Sequence, residues 1–568
     1  MSFHDVIIVG SGFGGAVMAA RLGAHVAATM PGKKVLLVEK GNDHSGALDP
    51  SSNGGALNAQ GNRFRNTFDP AYLAQVAEVF SDGTPAGAAP AGEDRERGQR
   101  SEGTATMSVV AGKGFGGGSN VYDGVSLRGP SEAFDQVRGG RRLWPEMWSR
   151  TVLDPYYARA EARLRVHRLA WTDAAVPHWQ LCTKRDLVFA EGCRRIGAAA
   201  APLKLADEDD ANEGWWNEGQ RFQGRQTLTR NYLVDAAAAG VELRSGCEID
   251  GIAPTGDGYV VSGTDHRGGR AAPFELECRM LVVAGGSIGS TGLLLRSQAD
   301  FGGDRHLDPE QVLGKHLSGN GDYGVSGVVG ADFEMAVEGF KGKPMSSFCP
   351  TFWKQHRFIL IPFHAPPLYL ALGQPASVLR PAAPEARGRA STGVAQGADG
   401  RPERSWGLVH KQRLAQFGPR MLTMGCLALD ACEGEVALSA DGERYQVSWR
   451  TTDAATESRW NAAVSAMHSI YQALGGEMYL DVYRHQGTVN TAHPLGGCRM
   501  AERDGLATGV VDPFGEVLNN RNLFVVDGAI VPAALGVNPS LTIAALAEAI
   551  ADRLIAGEGT EPLASRLA

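Results

Sequence analysis

Ten residues into the chain, a run of glycines narrows the folds open to it. Residues 5–9, DVIIV, read as a short strand buried on both faces. Gly10-Ser11-Gly12-Phe13-Gly14-Gly15 follows at once, and Gly10, Gly12 and Gly15 stand at the G-x-G-x-x-G positions. Ala16–Leu22 then reads as a helix, and 34–39 (KVLLVE) as a second buried strand closed by Glu39. Strand, glycine turn, helix and strand in this order make a βαβ unit, so an α/β fold of the Rossmann type is expected.

Such a turn suits a dinucleotide. Its first glycine permits the tight bend, its second lets the backbone approach a pyrophosphate, and its third allows close helix–strand packing. The helix N-terminus presents unpaired N–H groups and the positive end of its dipole to the phosphates. A glycine-rich turn with no ligand would leave the acid at the strand end unexplained, whereas the Glu39 carboxylate can accept both hydroxyls of a ribose. A 2′-phosphate would be repelled there, which disfavours NADP and leaves NAD and FAD open.

At 568 residues the chain exceeds one ordinary domain. A net charge of −8 argues against a nucleic-acid partner, which demands a basic face. Eight scattered cysteines contain no CxxC pair, so neither a metal site nor a disulfide framework is expected, and a reducing compartment fits. Only four residues precede the first apolar run, and no apolar stretch reaches the length of a membrane span. A soluble, cytoplasmic protein is expected.

Further along, 41–100 is rich in Gly, Ala, Asn, Asp and Pro and reads as a long loop, either a lid or a surface insertion. Residues 153–166 (LDPYYARAEARLRV) predict a helix with Asp154 as N-cap and Pro155 at its first position. Strands are expected over 240–252 and 274–283, helices over 287–297 and 539–554, and a second irregular loop over 373–405. Phe358–Leu372 (FILIPFHAPPLYLAL) contains His364 but no acid.

Four more segments stand out: GKGFGGGSN at 112–120, LVVAGGSIGSTGLLL at 281–295, HPLGGC at 493–498, and, after VDG at 526–528, GVNPSLTIAALAE at 536–548. With GSGFGG at the N-terminus, this ordered set resembles the glucose–methanol–choline (GMC) oxidoreductase family, and within it most the bacterial cholesterol oxidase branch. RQTLTRNYL at 225–233 and the 153–166 segment also look like family segments. The resemblance is weakest over 45–105 and 320–480.

The resemblance implies an α/β protein: a Rossmann-type FAD-binding domain from discontinuous segments (1–44, 107–128, 225–310 and 485–568) and an α+β substrate-binding domain (45–106, 129–224 and 311–484). The second domain would set a large sheet over the flavin, with lid-like loops at 45–105 and 373–405. It implies FAD contacts from Gly10, Ser11, Gly12, Gly14, Gly15, Glu39, Gly117, Gly118, Ser119, Tyr122, Ile249, Asp527, Gly528, Asn538 and Ser540. His493 aligns with the family's active-site histidine and Asn538 with its asparagine partner. Chemistry supports that pair independently, since a histidine can accept a hydroxyl proton near neutral pH and an amide can hold the substrate oxygen. Read singly, His493 could be a loop histidine, Asn538 a cap of the following helix, and Cys498 a packed small residue.

Some positions depart from the family. No histidine follows Ser119 in Asn120-Val121-Tyr122, so non-covalent FAD is expected. Tyr122, Asp123 and Gly124 stand where the cholesterol oxidase pattern has an asparagine and two glycines, and Ser540 replaces an aromatic residue. No counterpart of that branch's substrate-domain glutamate can be placed, and Glu338 and Glu477 are unsupported candidates. The expected reaction is oxidation of a bulky secondary alcohol, sterol-like or alicyclic, with oxygen or another acceptor. A non-redox lyase and a non-catalytic flavin-binding protein are the alternatives.

Overall fold

The computed structural model describes residues 2–45, 48–49, 77–81, 106–171, 182–207, 224–267, 270–339, 341–364, 411, 415–449, 453–479, 488–502 and 508–568. The loop expected over 373–405 lies outside the described residues, as does most of 45–105. Within the latter, Ala77–Phe80 is a strand.

The βαβ unit is present as β1 (Ser2–Val9), α1 (Phe13–Thr29) and β2 (Val35–Val38). β1 lies parallel between β2 (Val6↔Val35) and Ala272–Val283 (Val6↔Met280). Glu242–Arg244 extends the parallel sheet beyond β2, and Leu523–Val525 runs parallel to the end of Ala272–Val283. A hairpin of Cys247–Pro254 and Tyr259–Asp265 completes seven strands on the antiparallel side. Val6, Ile7, Ile8, Leu36 and Leu37 are fully buried, as strands covered on both faces require. α1 packs against the helix Ser540–Ala556. Chain segments leaving the carboxyl ends of the parallel strands carry Gly10, Glu39, Gly285 and Asp527, the edge where open α/β sheets bind ligands.

Two local expectations change. The helix predicted from Leu153 begins a turn earlier, at Arg150, and Ser149 caps it by accepting the Val152 N–H at 3.3 Å. Pro155 therefore lies inside the helix and forfeits only the bond to a carbonyl near its start. Asp154 is not a cap; it accepts from Arg128 at 2.7 Å and Arg150 at 2.9 Å. The strand predicted over 240–252 divides at Gly246, whose φ of 65° is open to glycine, so its two halves serve opposite edges of the sheet.

The remaining β-structure forms two principal sheets. One has six strands, in the order Lys315–Leu317, Gly434–Leu438, Tyr445–Ser448, Thr106–Gly112, Thr488–Thr491, with Ala77–Phe80 beside Thr106–Gly112. The other is antiparallel, in the order Phe358–Phe363, Met421–Ala428, Tyr323–Val328, Glu477–Tyr479. Its face is covered by Val188 and Phe189 of the helix Lys184–Arg195 and by Ile470 and Tyr471 of the helix Ala454–Ala473. Lys315–Leu317 and Tyr323–Val328 belong to different sheets because Asn320 and Gly321, with φ of 58° and 64°, turn the chain between them. Thr488–Thr491 ends just before His493, and Tyr323–Val328 starts just after Asp322, so the two sheets deliver these residues to one place.

Candidate active site

The two glycine loops meet. A Cβ on Gly117 would lie 2.8 Å from the Gly12 Cα, and one on Gly10, at φ 97°, would strike the Ala284 carbonyl. One on Gly14 would run into the Val526 carbonyl, and one on Gly15 into that of Gly10, so both glycines set the helix against the sheet. Gly12 and Gly118 differ: a Cβ at either would meet nothing within 4 Å. Open space therefore adjoins the first turn of α1, whose leading N–H groups receive no side-chain cap. A diphosphate fits such a cradle in charge and in hydrogen bonding.

Glu39, almost fully buried, holds this edge together. Its Oε2 accepts from the Ser11 N–H at 3.1 Å and the Ser11 hydroxyl at 2.7 Å. Its Oε1 accepts from the N–H groups of Gly41 at 2.9 Å and Gly114 at 3.1 Å. Four donors from the chain thus occupy the carboxylate, which clamps the first glycine turn to the second, and a ribose diol would share those oxygens. Ser119 uses its hydroxyl within the loop, donating to Gly116 O at 2.8 Å and accepting from the Leu228 N–H at 3.0 Å. The Tyr122 hydroxyl donates to the Gln226 carbonyl, and its ring meets Phe13 edge-on at 5.5 Å. Ile249 is buried in Cys247–Pro254, the strand whose first N–H bonds the Glu39 carbonyl at 3.0 Å.

Asp527 links the cradle to the rest of the site. Its Oδ2 accepts from Ser290 at 2.5 Å and Gly286 N–H at 2.8 Å, and its Oδ1 from Ala529 N–H at 2.7 Å. Burial raises its pKa, which those three bonds oppose. The next residue, Gly528, accepts the Gly496 N–H at 2.9 Å, and Ala529 accepts that of Cys498 at 3.0 Å. The HPLGGC segment is thereby laid along the segment that follows Leu523–Val525.

His493 and Asn538 come together. The Asn538 amide donates from Nδ2 to His493 Nε2 at 2.9 Å, while its Oδ1 is buried without a hydrogen-bond partner among the described residues. The helix Ser540–Ala556 starts with no side-chain cap, so Asn538 does not serve as one. On the other side of the imidazole, Nδ1 donates to Asp322, whose oxygens lie at 3.0 and 2.8 Å. Burial pulls the His493 pKa down, but the Asp322 carboxylate, with Asp123 beyond it, outweighs burial and leaves it raised.

Asp322 was not legible in the sequence, where Ser318-Gly319-Asn320-Gly321-Asp322 carries only the composition of a turn. Asp123 is a second carboxylate near His493, and burial pushes its pKa up to about 6 against the opposing fields of Arg225, Arg185 and His493. Arg185 and Arg225 are both buried. His364 is buried too, held neutral down to about 3 by burial and by Arg185. Glu338 is engaged by Lys184 at 3.1 Å and Lys341 at 3.0 Å. All eight cysteines are free and buried, Cys498 beside Thr291 at 3.4 Å. Among the described residues no His/Cys/Asp/Glu group could hold a metal ion, and no helix is long and apolar enough to cross a membrane.

Residues 5–330 and 433–547 match the amino- and carboxy-terminal models of one family, GMC oxidoreductase. The long-chain-alcohol oxidase FAO4B of Arabidopsis thaliana is 22% identical over 97% of this chain and 67% of its own length. Likeness to the cholesterol oxidase of Acinetobacter baumannii is higher, 57%, but confined to 58 residues, 10% of each chain. Among solved structures, pyridoxine 4-oxidase from Mesorbium loti superposes with a TM-score of 0.61 at 17% identity, covering 97% of this chain and 99% of that one. A fungal aryl-alcohol oxidase gives 0.58 at 16% identity, covering 98% and 99%. Such identities speak for the fold alone. The family models span most of the chain and both glycine loops, and the chain belongs to the GMC oxidoreductases, a family of flavoprotein enzymes.

Proposed function

We propose that this protein oxidises an alcohol to a carbonyl compound with non-covalently bound FAD. The observation that carries the reading is the His493–Asn538 contact at 2.9 Å, beside an amide oxygen left without a partner. Buried polar atoms are almost always satisfied, so an orphan beside a basic nitrogen marks where a ligand's polar group belongs. Gly10, Ser11, Gly12, Gly14, Gly15, Gly117, Gly118 and Asp527 would surround the diphosphate, Glu39 and Ile249 the adenosine end, and Tyr122, Gly528, Asn538 and Ser540 the flavin. The segments 1–44, 107–128, 225–310 and 485–568 would make the FAD domain and the remainder the substrate domain.

FAD supplies, when bound, the acceptor for the hydride leaving the alcohol carbon. His493 carries its proton on Nδ1, facing Asp322, so Nε2 is the lone-pair nitrogen and takes the hydroxyl proton. On binding, the substrate hydroxyl takes the place of the Asn538 N–H at Nε2, and the Asn538 amide donates an N–H to the substrate oxygen instead. Between them the two side chains fix the hydroxyl so that deprotonation and departure of hydride occur in one geometry.

For the substrate we infer an alcohol with a large apolar body, sterol-like or alicyclic. The name of the long relative specifies a long-chain alcohol and that of the short one cholesterol, and both are apolar alcohols. Eight scattered cysteines with no CxxC pair favour a reducing compartment such as the cytoplasm. Oxygen is the acceptor that the names of the oxidase relatives favour.

The test is the visible spectrum of the purified protein, recorded anaerobically with benzyl alcohol, 1-dodecanol, cyclohexanol and cholesterol. Bleaching by one of them, recovered on admitting air, is expected. His493→Ala and Asn538→Ala should slow bleaching at least about a hundredfold, within the range for a lost acid–base group, with the flavin retained. A flavin spectrum unmoved by every alcohol would turn the reading toward a non-redox lyase, and a protein without flavin after reconstitution would overturn it.

A further inference from the structure

We propose that Asp322 is the positioning residue of His493, and that the loop Ser318–Asp322 is the bracket that holds the His493 and Asn538 segments in register. The proposal rests on the reading of His493 as proton acceptor.

His493 and Asn538 lie 45 positions apart, on different segments, and are joined by one side-chain hydrogen bond. The loop grips both. Toward His493, Ser318 and Leu495 exchange backbone bonds at 2.8 and 3.1 Å. Thr491 Oγ1 lies 3.0 Å from Gly319 O and 2.8 Å from Asp322 Oδ2, and accepts the His493 N–H at 2.9 Å. Toward Asn538, the buried Asn320 side chain donates to Val537 O at 2.8 Å and accepts the N–H groups of Leu535 at 2.8 Å and Gly536 at 2.9 Å. The loop is itself fixed by Asp430, which accepts from the Ser318 hydroxyl at 2.7 Å and the Gly321 N–H at 3.0 Å. Asn320 sits at φ 58°, a conformation in which asparagine is several-fold enriched. Three of the five residues therefore have their polar side-chain atoms assigned to holding the two segments or the loop itself.

Asp322 acts on the imidazole in two ways. Accepting the Nδ1 proton fixes the tautomer, which leaves the Nε2 lone pair facing Asn538. Its charge also favours the imidazolium that forms when the hydroxyl proton arrives. Among the described residues, the other charged group acting on His493 is Asp123, which works in the same sense and is itself countered by Arg225 and Arg185. Since protonated His493 cannot accept a proton, kcat/KM should rise with pH through its raised pKa.

Asp322→Asn keeps an oxygen for the Nδ1 proton and removes the charge. With the flavin-loaded enzyme and whichever of the four alcohols turns over, kcat should fall about tenfold, a modest part of an acid–base contribution, and the rise of kcat/KM should move to lower pH. KM and the flavin-to-protein ratio should stay as they are. Asn320→Ala should lower kcat without moving the rise, because it disturbs the Asn538 turn and not the charge. An Asp322→Asn enzyme with unchanged kcat and pH profile would overturn the proposal, as would a rise displaced upward. If that variant fails to fold, 15N-histidine NMR of the parent enzyme, with His493→Gln for assignment, reads the same point. The Nδ1–H tautomer above the transition, and a pKa above the ordinary 6.5, are expected, and an Nε2–H tautomer would refute it. Loss of activity in His493→Ala but not in Asp322→Asn would defeat this inference alone. Full activity in His493→Ala would defeat the underlying reading.

Discussion

Substituting Gly12 should remove the cofactor while leaving the protein folded, and substituting Gly14, two residues away, should damage the fold itself. At Gly12 the backbone has φ −68° and ψ −168°, an extended conformation open to any residue, and a Cβ there meets nothing within 4 Å. The Cβ of Gly12→Val therefore meets no neighbour within the chain. Glycine also forms no side-chain cap at this helix start, so the change in intrinsic stability is expected within about 0.5 kcal/mol. What it loses is linkage: a ligand at a thousand times its Kd stabilises by about 4 kcal/mol, and the valine methyls fill the space through which a diphosphate approaches. At Gly14 a methyl group would occupy the position of the Val526 carbonyl. Relief requires α1 to separate from the sheet, an overpacking cost of about 3 kcal/mol or more. The assay is the flavin-to-protein absorbance ratio together with thermal unfolding, with and without added FAD. Gly12→Val should be colourless, should melt as the flavin-stripped parent does, and should not respond to FAD. Gly14→Ala should melt lower even when compared with that stripped parent. Stoichiometric flavin in Gly12→Val would refute the cradle, and a Gly14→Ala protein of parental stability would refute the packing argument.

Asp123 gives a pH-dependent prediction. Its carboxyl is pushed from the ordinary 3.8 to about 6, so the folded state holds its proton more tightly than the unfolded chain does. The associated stability is present below pH ~4 and is lost as pH rises through about 6, a difference on the order of 3 kcal/mol. Asp123→Asn should therefore gain on the parent between pH 4 and pH 7 in thermal melts, and a gap constant across that range would contradict the assignment. Glu39→Gln places an amide donor against donors that the carboxylate now accepts. Orphaning them should cost about 2 kcal/mol and weaken FAD retention, as read by melting and by flavin release on dilution, and full retention with an unchanged melt would show that Glu39 is not the clamp.

What could be read from the sequence was whatever local geometry dictates. The βαβ unit announced itself because buried strands leave continuous apolar runs and a tight turn demands glycine at set positions. Gly10, Gly14 and Gly15 all prove to be places where a side chain would strike backbone. The His493–Asn538 pairing was reached by resemblance, and the 2.9 Å contact is how the fold realises it. Asp322 escaped notice because its role depends on a partner 171 residues away, and no short-range pattern records such a distance. Asp123 was visible only as a departure from the family, since its raised pKa comes from burial, which prevails over the opposing fields of Arg225 and Arg185, and neither the burial nor those partners can be read from its neighbours in sequence. The start of the helix at Arg150 was misplaced for a related reason. Pro155 is a strong local signal for a helix's first turn, but the Ser149 cap and the bonds from Arg128 and Arg150 to Asp154 set the boundary earlier.

The short segment Val526–Gly528 joins a glycine cradle to a histidine far from it in sequence. Its Val526 carbonyl packs on the start of α1 at Gly14, its Asp527 carboxylate binds Gly286 and Ser290 at the start of another helix, and its Gly528 carbonyl receives Gly496 from the histidine segment. Hydride transfer and proton transfer from one alcohol require their two acceptors to be held at a fixed separation, and effective catalysis is sensitive to displacements of about 1 Å. A flexible loop carrying His493 could not meet that demand. Here the histidine's backbone is tied, through a few hydrogen bonds, to the same residues that shape the edge of the cradle, and its imidazole is aimed from the opposite side by Asp322. His493 is thus referenced to the nucleotide fold by its backbone and to the neighbouring sheets by its side chain, so its position is determined from two independent directions.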